Sequence, residues 1–328
     1  YRRANTGKKK TALTQPPSTR WTRFGLQQSL RPEDRFQVGL GARADRTDAV
    51  RRVFEAKGRP PSHPLIVHLP GVESLEDWAR EVPDAAHRLA ARFWPGSLTM
   101  ILRRSPLASD VVTGGQDTVG LRVPNHPVAL ALLREVGVGM AAPSANRFGH
   151  VSATTAAHVV DDFGDTIDAV LDGGACAFGL ESTIVDLSSG IARLLRPGAI
   201  PRGEIESVLG MELSGPVESA PRVPGALASH YAPTTPLRLV DSAALDELPG
   251  EPEGRVCILS FRPPRHGDPQ LVWIEMPSGP EHYARVLYDV LRRADRFGAA
   301  VILVERPPDD IAWEAIRDRL MRAAHLGE

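Results

Sequence analysis

From Asp48 onward, the apolar positions of this 328-residue chain fall into short runs that switch between helical and strand spacing. Ala49, Val50, Val53 and Phe54 recur at helical intervals, and Pro60 and Pro61 stop that helix just after Lys57-Gly58-Arg59. Leu65 to Leu69, apolar except for His68, has the length of a short buried strand. Residues 75–80 and 85–93 then read as helices, 98–102 and 118–123 as strands, 128–135 as a helix and 139–142 as a strand broken by Pro143. Residues 154–163 follow as a helix, and 169–171, 182–187 and 192–195 as strands. Strands and helices alternate throughout, so the expectation is a layered α/β domain with helices covering a sheet.

The periodicity lapses over residues 214–236, which are rich in Pro, Gly, Ser and Ala, as an interdomain linker lying over a surface should be. That stretch still holds one dense cluster, Ser229-His230-Tyr231-Ala232-Pro233. Beyond it, 237–240, 256–260, 272–274 and 300–304 are apolar runs of strand length, while 283–294 and 311–324 have helical spacing. The expected division is a tail over 1–35, a main domain over 36–213, a linker over 214–236 and a smaller α/β domain over 237–328.

Composition narrows the partners. With 39 Lys and Arg against 40 Asp and Glu, the formal net charge is -1, so no long-range field draws the chain to nucleic acid or an anionic membrane. Residues 1–35 are the local exception, with nine Lys and Arg against Glu33 and Asp34 and no apolar period. They read as a solvated tail or, on a second reading, as a basic arm for RNA. Cys176 and Cys257 form neither a CxxC motif nor a disulfide framework, and no apolar run approaches the ~20 residues that span a bilayer. The expectation is a soluble protein of the reducing cytoplasm.

The common catalytic signatures are absent: no GxxxxGK[ST] phosphate loop, no convincing GxGxxG, no HExxH, no Cys/His metal cluster and no GxSxG elbow. What remains is a set of cations and hydroxyls at the ends of strands, where open α/β sheets present ligand-binding groups. Lys57 and Arg59 share a turn stiffened by two prolines, which lets both face one anion at little ordering cost. Ala142-Pro143-Ser144-Ala145-Asn146 and Glu181-Ser182-Thr183 each offer short polar groups at a strand end, and Arg196 ends another strand. Thr118 and Arg122, four apart on one strand, share a face. Singly, each has an ordinary explanation: a solvated turn, a loop, a surface ion pair for Arg122, and hydrogen-bonded core positions for His63, His68 and His230.

Together and in order, these segments resemble the YrdC-like domain of threonylcarbamoyl-AMP synthases: AKGRPPSHPLIVHL at 56–69, FWPGSLTMIL at 93–102, TVGLRVPNHP at 118–127, APSANRFGHVS at 142–152, GLESTIVD at 179–186 and LLRPGAI at 194–200. SHYAPTTPL at 229–237 and the stretch 283–308 resemble the linker and C-terminal domain of the longer form of that family. The resemblance implies a twisted mixed sheet covered by helices, plus a smaller Rossmann-like domain. It implies that threonine's amine captures bicarbonate and that the resulting carbamate attacks the α-phosphate of ATP. The products would be threonylcarbamoyl-AMP and pyrophosphate, the former consumed by a tRNA threonylcarbamoyl transferase complex. Mg²⁺ would enter with ATP.

By match to the family pattern, Lys57, Arg59, Ser144 and Asn146 form the catalytic nucleotide and phosphate group. His63, Thr118, Ser152 and Arg196 also belong to the ATP side, with Tyr231 closing over the nucleotide. His68, Arg122, Ala142 and Ser182 line the threonine pocket. One segment departs from the pattern: where the family carries Pro-Thr-x-Thr-Val-Tyr-Gly-Leu-Gly, this chain has Glu33-Asp34-Arg35-Phe36-Gln37-Val38-Gly39-Leu40-Gly41. Phe36 thus stands where a substrate-contacting threonine is expected, and a central strand lacks its apolar run. A diverged RNA-binding protein of this fold and a carbamoyltransferase are the competing readings.

Overall fold

In the computed structural model, which describes residues 39–167, 170–173, 179–246, 254–263 and 270–325, a two-residue strand β1 (Ala42–Arg43) leads into helix α1 (Thr47–Lys57). The helix stops where Gly58 takes a left-handed φ of 64°, with Gly58 N–H on the Glu55 carbonyl and Arg59 N–H on that of Phe54. A left-handed glycine satisfies orphan carbonyls at a helix end without a Cβ clash. Glycine, rather than the prolines behind it, therefore sets the end of α1.

The chain continues through β2 (Ile66–His68), α2 (Leu75–Trp78), α3 (Asp84–Phe93), β3 (Leu98–Arg103), α4 (Asp110–Thr113), β4 (Thr118–Arg122), α5 (Pro127–Val136) and β5 (Met140–Ala141). After α6 (Ala156–Phe163) come β6 (Thr183–Asp186), β7 (Arg193–Arg196) and α7 (Arg202–Leu209). Among the described residues the strands form one seven-stranded mixed sheet in the order β1-β5-β2-β4-β3-β6-β7. Pairs β2/β4 and β3/β6 are parallel, and the others antiparallel.

Side chains alternate across this sheet, as strand geometry requires. Leu98, Met100 and Leu102 of β3, Val119 and Leu121 of β4 and Val67 of β2 join the main core. Ile66, Ile101, Ile184 and Leu195 form a separate apolar cluster roofed by Val223 and Ala220 of the linker. The second face is the one that carries His68 and Arg122. Gly120 lies between, where an added Cβ would come within 3.1 Å of Ile101 and 3.4 Å of Ile66, so its lack of a side chain keeps the face flat enough for the linker.

The second sheet contains β8 (Leu237–Val240), β9 (Val256–Ser260), β10 (Leu271–Glu275) and β11 (Val301–Glu305), all parallel, in the order β10-β9-β11-β8. Helices α8 (Pro280–Asp295) and α9 (Glu314–Ala324) cover it, burying Leu287, Tyr288, Ile316 and Leu320. Among the described residues no helix is long and apolar enough to cross a membrane.

Several expectations shift. The helix expected over 75–80 stops at Trp78, because Ala79 bridges to Arg104. Helix α7 was not expected, since Ile205 and Leu209 are its only buried residues and Gly203 interrupts the pattern. Val170 and Leu171 are not in a strand, and residues 168–169 lie outside the described residues. So do the basic tail, Phe36 and Cys176. The segment 33–38, where a central strand was expected, lies outside the described residues, and β1 stands at the edge of the described sheet.

Candidate functional site

Parallel pairing of β2 with β4 sets His68 opposite Arg122 on the linker-facing side. Arg122 is 4% exposed, so it is no surface ion pair; its Nε donates to the Gly96 carbonyl at 2.8 Å. Burial, and secondarily Arg196, pushes its guanidinium down to about 10, still charged at neutral pH. Burial and then the Arg122 charge hold His68 down at about 3, so its imidazole is neutral.

On the neighbouring strands, Arg196 Nε and Nη2 both donate to the Ser182 carbonyl, at 3.1 and 2.8 Å, and Nη2 also reaches Ser182 Oγ at 3.1 Å. That hydroxyl shares a 2.8 Å hydrogen bond with Thr99 Oγ1 of β3. Four strands thereby aim polar groups at one place.

The turn after α1 supplies the other wall, but its two cations separate. Lys57 Nζ turns back to the carbonyls of Ser144, at 2.5 Å, and Asn146. Arg59 faces the cavity, with Nη2 on the Pro64 carbonyl at 2.8 Å and Nε on that of His63 at 3.4 Å. Burial lowers Arg59 to about 10 and lowers Lys57 well below its ordinary value, with Arg59 the next cause for Lys57.

The linker closes the site instead of lying on the surface. Tyr231 is 1% exposed with φ 61°, a left-handed backbone that is uncommon for a bulky residue and is characteristic of functional segments. Its hydroxyl packs where a side chain on Gly225 would sit: a Cβ there would lie 2.1 Å from it. Arg196 Nη1 donates to the Pro224 carbonyl at 2.8 Å. The remaining cavity holds about 50 Å³. That is room for a few waters at most, against the ~300–1,000 Å³ of ordinary ligand pockets.

The cavity is also lined by a carboxylate that the sequence offered only as a polar neighbour of Ser182. Glu181, 5% exposed, accepts from Ser152 Oγ at 2.9 Å, Tyr288 hydroxyl at 2.9 Å and Arg319 Nε at 2.8 Å. Burial alone would raise its pKa, but the Arg319 and Arg196 charges outweigh that and hold it at about 2. Arg319 also donates to the Pro197 carbonyl and lies 5.2 Å above the Tyr231 ring. The second domain thus reaches the floor of the site and the lid together.

Of the residues singled out in the sequence, Arg59, His68, Arg122, Ala142, Ser144, Ser182, Arg196 and Tyr231 line this one cavity. Lys57 and Asn146 stand behind Ser144, and His63 behind Arg59. Ser152 is fully buried and engaged with Glu181, off the cavity wall. Thr118 shares the face of Arg122, but four residues at ~3.3 Å each put it about 13 Å along the strand. Residues given no site role in the sequence include Thr99, Glu181, Tyr288 and Arg319. Thr99, Glu181 and Tyr288 lie within matched segments and Arg319 in none, and no spacing rule joins them.

His68 and His230, both held neutral by burial with pKa values of about 3, make a solution prediction. The unfolded chain binds a proton at each below about 6.5, whereas the folded chain does not until about 3. Stability is therefore lost as pH falls from about 6.5 toward 3, by about 1.4 kcal/mol per pH unit per histidine. Denaturant titrations at pH 7.5, 6 and 5 should show that slope, and His68→Gln should flatten it by one proton.

Comparisons with known proteins agree over both domains. Residues 37–198 match the family model described as telomere recombination, and 200–325 the one described as threonylcarbamoyl-AMP synthase, C-terminal domain. A threonylcarbamoyl-AMP synthase of Bacillus subtilis is 41% identical over 300 residues, covering 87% of this chain and 86% of the relative. One of Pyrococcus abyssi is 39% identical over 298 residues, covering 87% of each. The crystal structure of P. abyssi Sua5 complexed with L-threonine superposes with a TM-score of 0.79 at 37% identity, covering 89% of this chain and 88% of that one. The chain belongs to the threonylcarbamoyl-AMP synthase family.

Proposed function

We propose that this chain forms threonylcarbamoyl-AMP and pyrophosphate from ATP, L-threonine and bicarbonate. The observation that carries this reading is the convergence of Arg59, Arg122 and Arg196 with the hydroxyls of Ser144 and Ser182 on one cavity. Such a site suits two anionic substrates and a leaving group that gains charge.

The threonine amine bonds to the carbon of bicarbonate with loss of water. A carbamate oxygen then bonds to the α-phosphorus as the bond to the β-phosphate oxygen breaks, and pyrophosphate departs with the electron pair. No covalent enzyme intermediate is needed, so catalysis rests on orientation and charge neutralisation. Arg122 meets the threonine carboxylate in a pocket made with His68, Ala142 and Ser182. Neutral His68 can accept a hydrogen bond from the ammonium group while adding no positive charge to repel it.

Arg59, Ser144 and Arg196 form the phosphate side, with Lys57, Asn146 and His63 holding it and Tyr231 covering it. A nucleotide exceeds the present cavity, so the linker lifts on ATP entry. Withdrawal of Val223 and Ala220 would uncover the face from Arg122 to Thr118, along which the nucleotide then extends. Ser152 contributes through Glu181.

Mg²⁺ enters as part of the ATP complex. Among the described residues no group of three or more His, Cys, Asp and Glu could hold a metal, and Glu181 is committed to Arg319. The ion's chemistry is to neutralise phosphate charge, which Arg59 and Arg196 share.

The test is pyrophosphate release by the folded chain. Release is expected only when ATP, L-threonine and bicarbonate are all present, with threonylcarbamoyl-AMP in equal yield. Absence of threonine-dependent release sinks the reading.

A further inference from the structure

Arg59 needs to present a guanidinium to an anion while standing in a turn that exposes few fixed partners. Its hydrogen bonds to the backbone employ Nε and Nη2. Among the described residues, Nη1 has no hydrogen-bond partner. The group stands over Phe148, whose ring centroid lies 5.4 Å from the guanidinium carbon. An aromatic face orients a cation electrostatically and consumes none of its N–H donors. Phe148 thus leaves Nη1 free for a ligand.

Phe148 is itself held to α1. Its backbone N–H donates to the Lys57 carbonyl at 2.9 Å, while Lys57 Nζ reaches back to Ser144 and Asn146 and Arg147 Nη1 approaches the Ala56 carbonyl at 3.5 Å. The 144–148 loop and the end of α1 therefore clasp each other in both directions. The ring also touches the linker: His230 stands edge-on to it at 6.1 Å and 88°, and His63 at 5.3 Å and 61°. His230 continues into Tyr231 at 4.1 Å, and Tyr231 stacks on Tyr288 of α8 at 5.6 Å. One half-buried ring joins the cationic turn to the lid, yet it is not among the residues lining the cavity.

We propose that Phe148 is a positioning residue that aims the Arg59 guanidinium at the ATP phosphates and seats the linker through His230. The inference rests on the reading of the site given above. The ring acts through Arg59 and the lid, so its loss weakens capture of ATP more than it slows the chemical step. The aliphatic volume of the side chain is secondary.

Three full-length chains separate these roles: wild type, Phe148→Leu, which keeps bulk but loses the ring, and Phe148→Tyr, which keeps the ring. The measurements are the calorimetric Kd for ATP and the split of pyrophosphate release into kcat and KM. Phe148→Leu should bind ATP about tenfold more weakly, equivalent to about 1.4 kcal/mol, with kcat within twofold of wild type. Phe148→Tyr should match wild type in both. Equal Kd for wild type and Phe148→Leu overturns the proposal, as does a Tyr variant as weak as the Leu variant. Failure of the wild-type chain to bind ATP overturns the underlying reading along with it. ATP binding without pyrophosphate release overturns only the activity, and the Kd comparison still judges Phe148.

Discussion

Arg319→Leu should destabilise the protein by about 3–5 kcal/mol and abolish most of its activity, although Arg319 belongs to the second domain. Its side chain is fully buried, and its Nε donates to Glu181 at 2.8 Å. Removing one partner of a buried ion pair strands the other charge in a medium that cannot solvate it, which costs about that much. Glu181 would keep the Ser152 and Tyr288 hydroxyls and the Arg196 charge but lose its ion-pair partner, so its pKa would rise and its carboxyl would take up a proton at a higher pH than in the wild type. Tyr231 would lose the cation above its ring, and with it the lid's seat.

Glu181→Gln in the same background should recover part of the loss, because it removes the stranded charge. Denaturant unfolding of wild type, the two single variants and the double variant gives the coupling energy directly. Additive losses, with no coupling between 181 and 319, would falsify this account.

Lys57→Met should lower pyrophosphate release by about 10²–10³-fold, the usual effect of deleting one group that organises charge stabilisation. Nζ lies away from the cavity, so the loss would come through the loop it holds. The carbonyls of Ser144 and Asn146 would lose their donor, each at a cost of about 1–3 kcal/mol when buried. Ser144, which faces the cavity, would then drift. The methionine retains the apolar stem, so packing against the buried end of α1 survives. A Met variant with wild-type turnover would show that the ammonium group contributes neither charge nor position.

How far the sequence reached follows from the range of each interaction. Helix α1 and the strands around it were legible because their cues are local: a helical period over 49–54 and apolar runs of strand length. The sharing of one face by Thr118 and Arg122 followed from strand geometry alone. Helix α7 was not legible, as two buried apolar residues in eight positions make no stripe. The eight cavity residues came from matching segments in order, and spacing could not have joined segments more than a hundred residues apart. Glu181 shows the limit most clearly. Within its segment it looked like a neighbour of Ser182, and only folding reveals partners on α8 and α9. The linker's composition suggested a break in periodicity, and it carries no sign that Tyr231 would be buried in a left-handed turn. Phe148 was invisible for a related reason: a ring in a polar loop acquires meaning only from the cation placed over it.

The separation of Glu181 from Arg319, 138 residues apart along the chain, also orders events during synthesis. The first domain leaves the ribosome with its carboxylate lacking the partner that will neutralise it, and with no linker yet anchored above. At ~5–20 residues per second, several seconds pass before α9 emerges. Throughout that interval Glu181 lacks the Arg319 guanidinium. Helix α9 carries the cation that pairs with Glu181, so a nascent chain can close the floor of its site only after α9 has emerged.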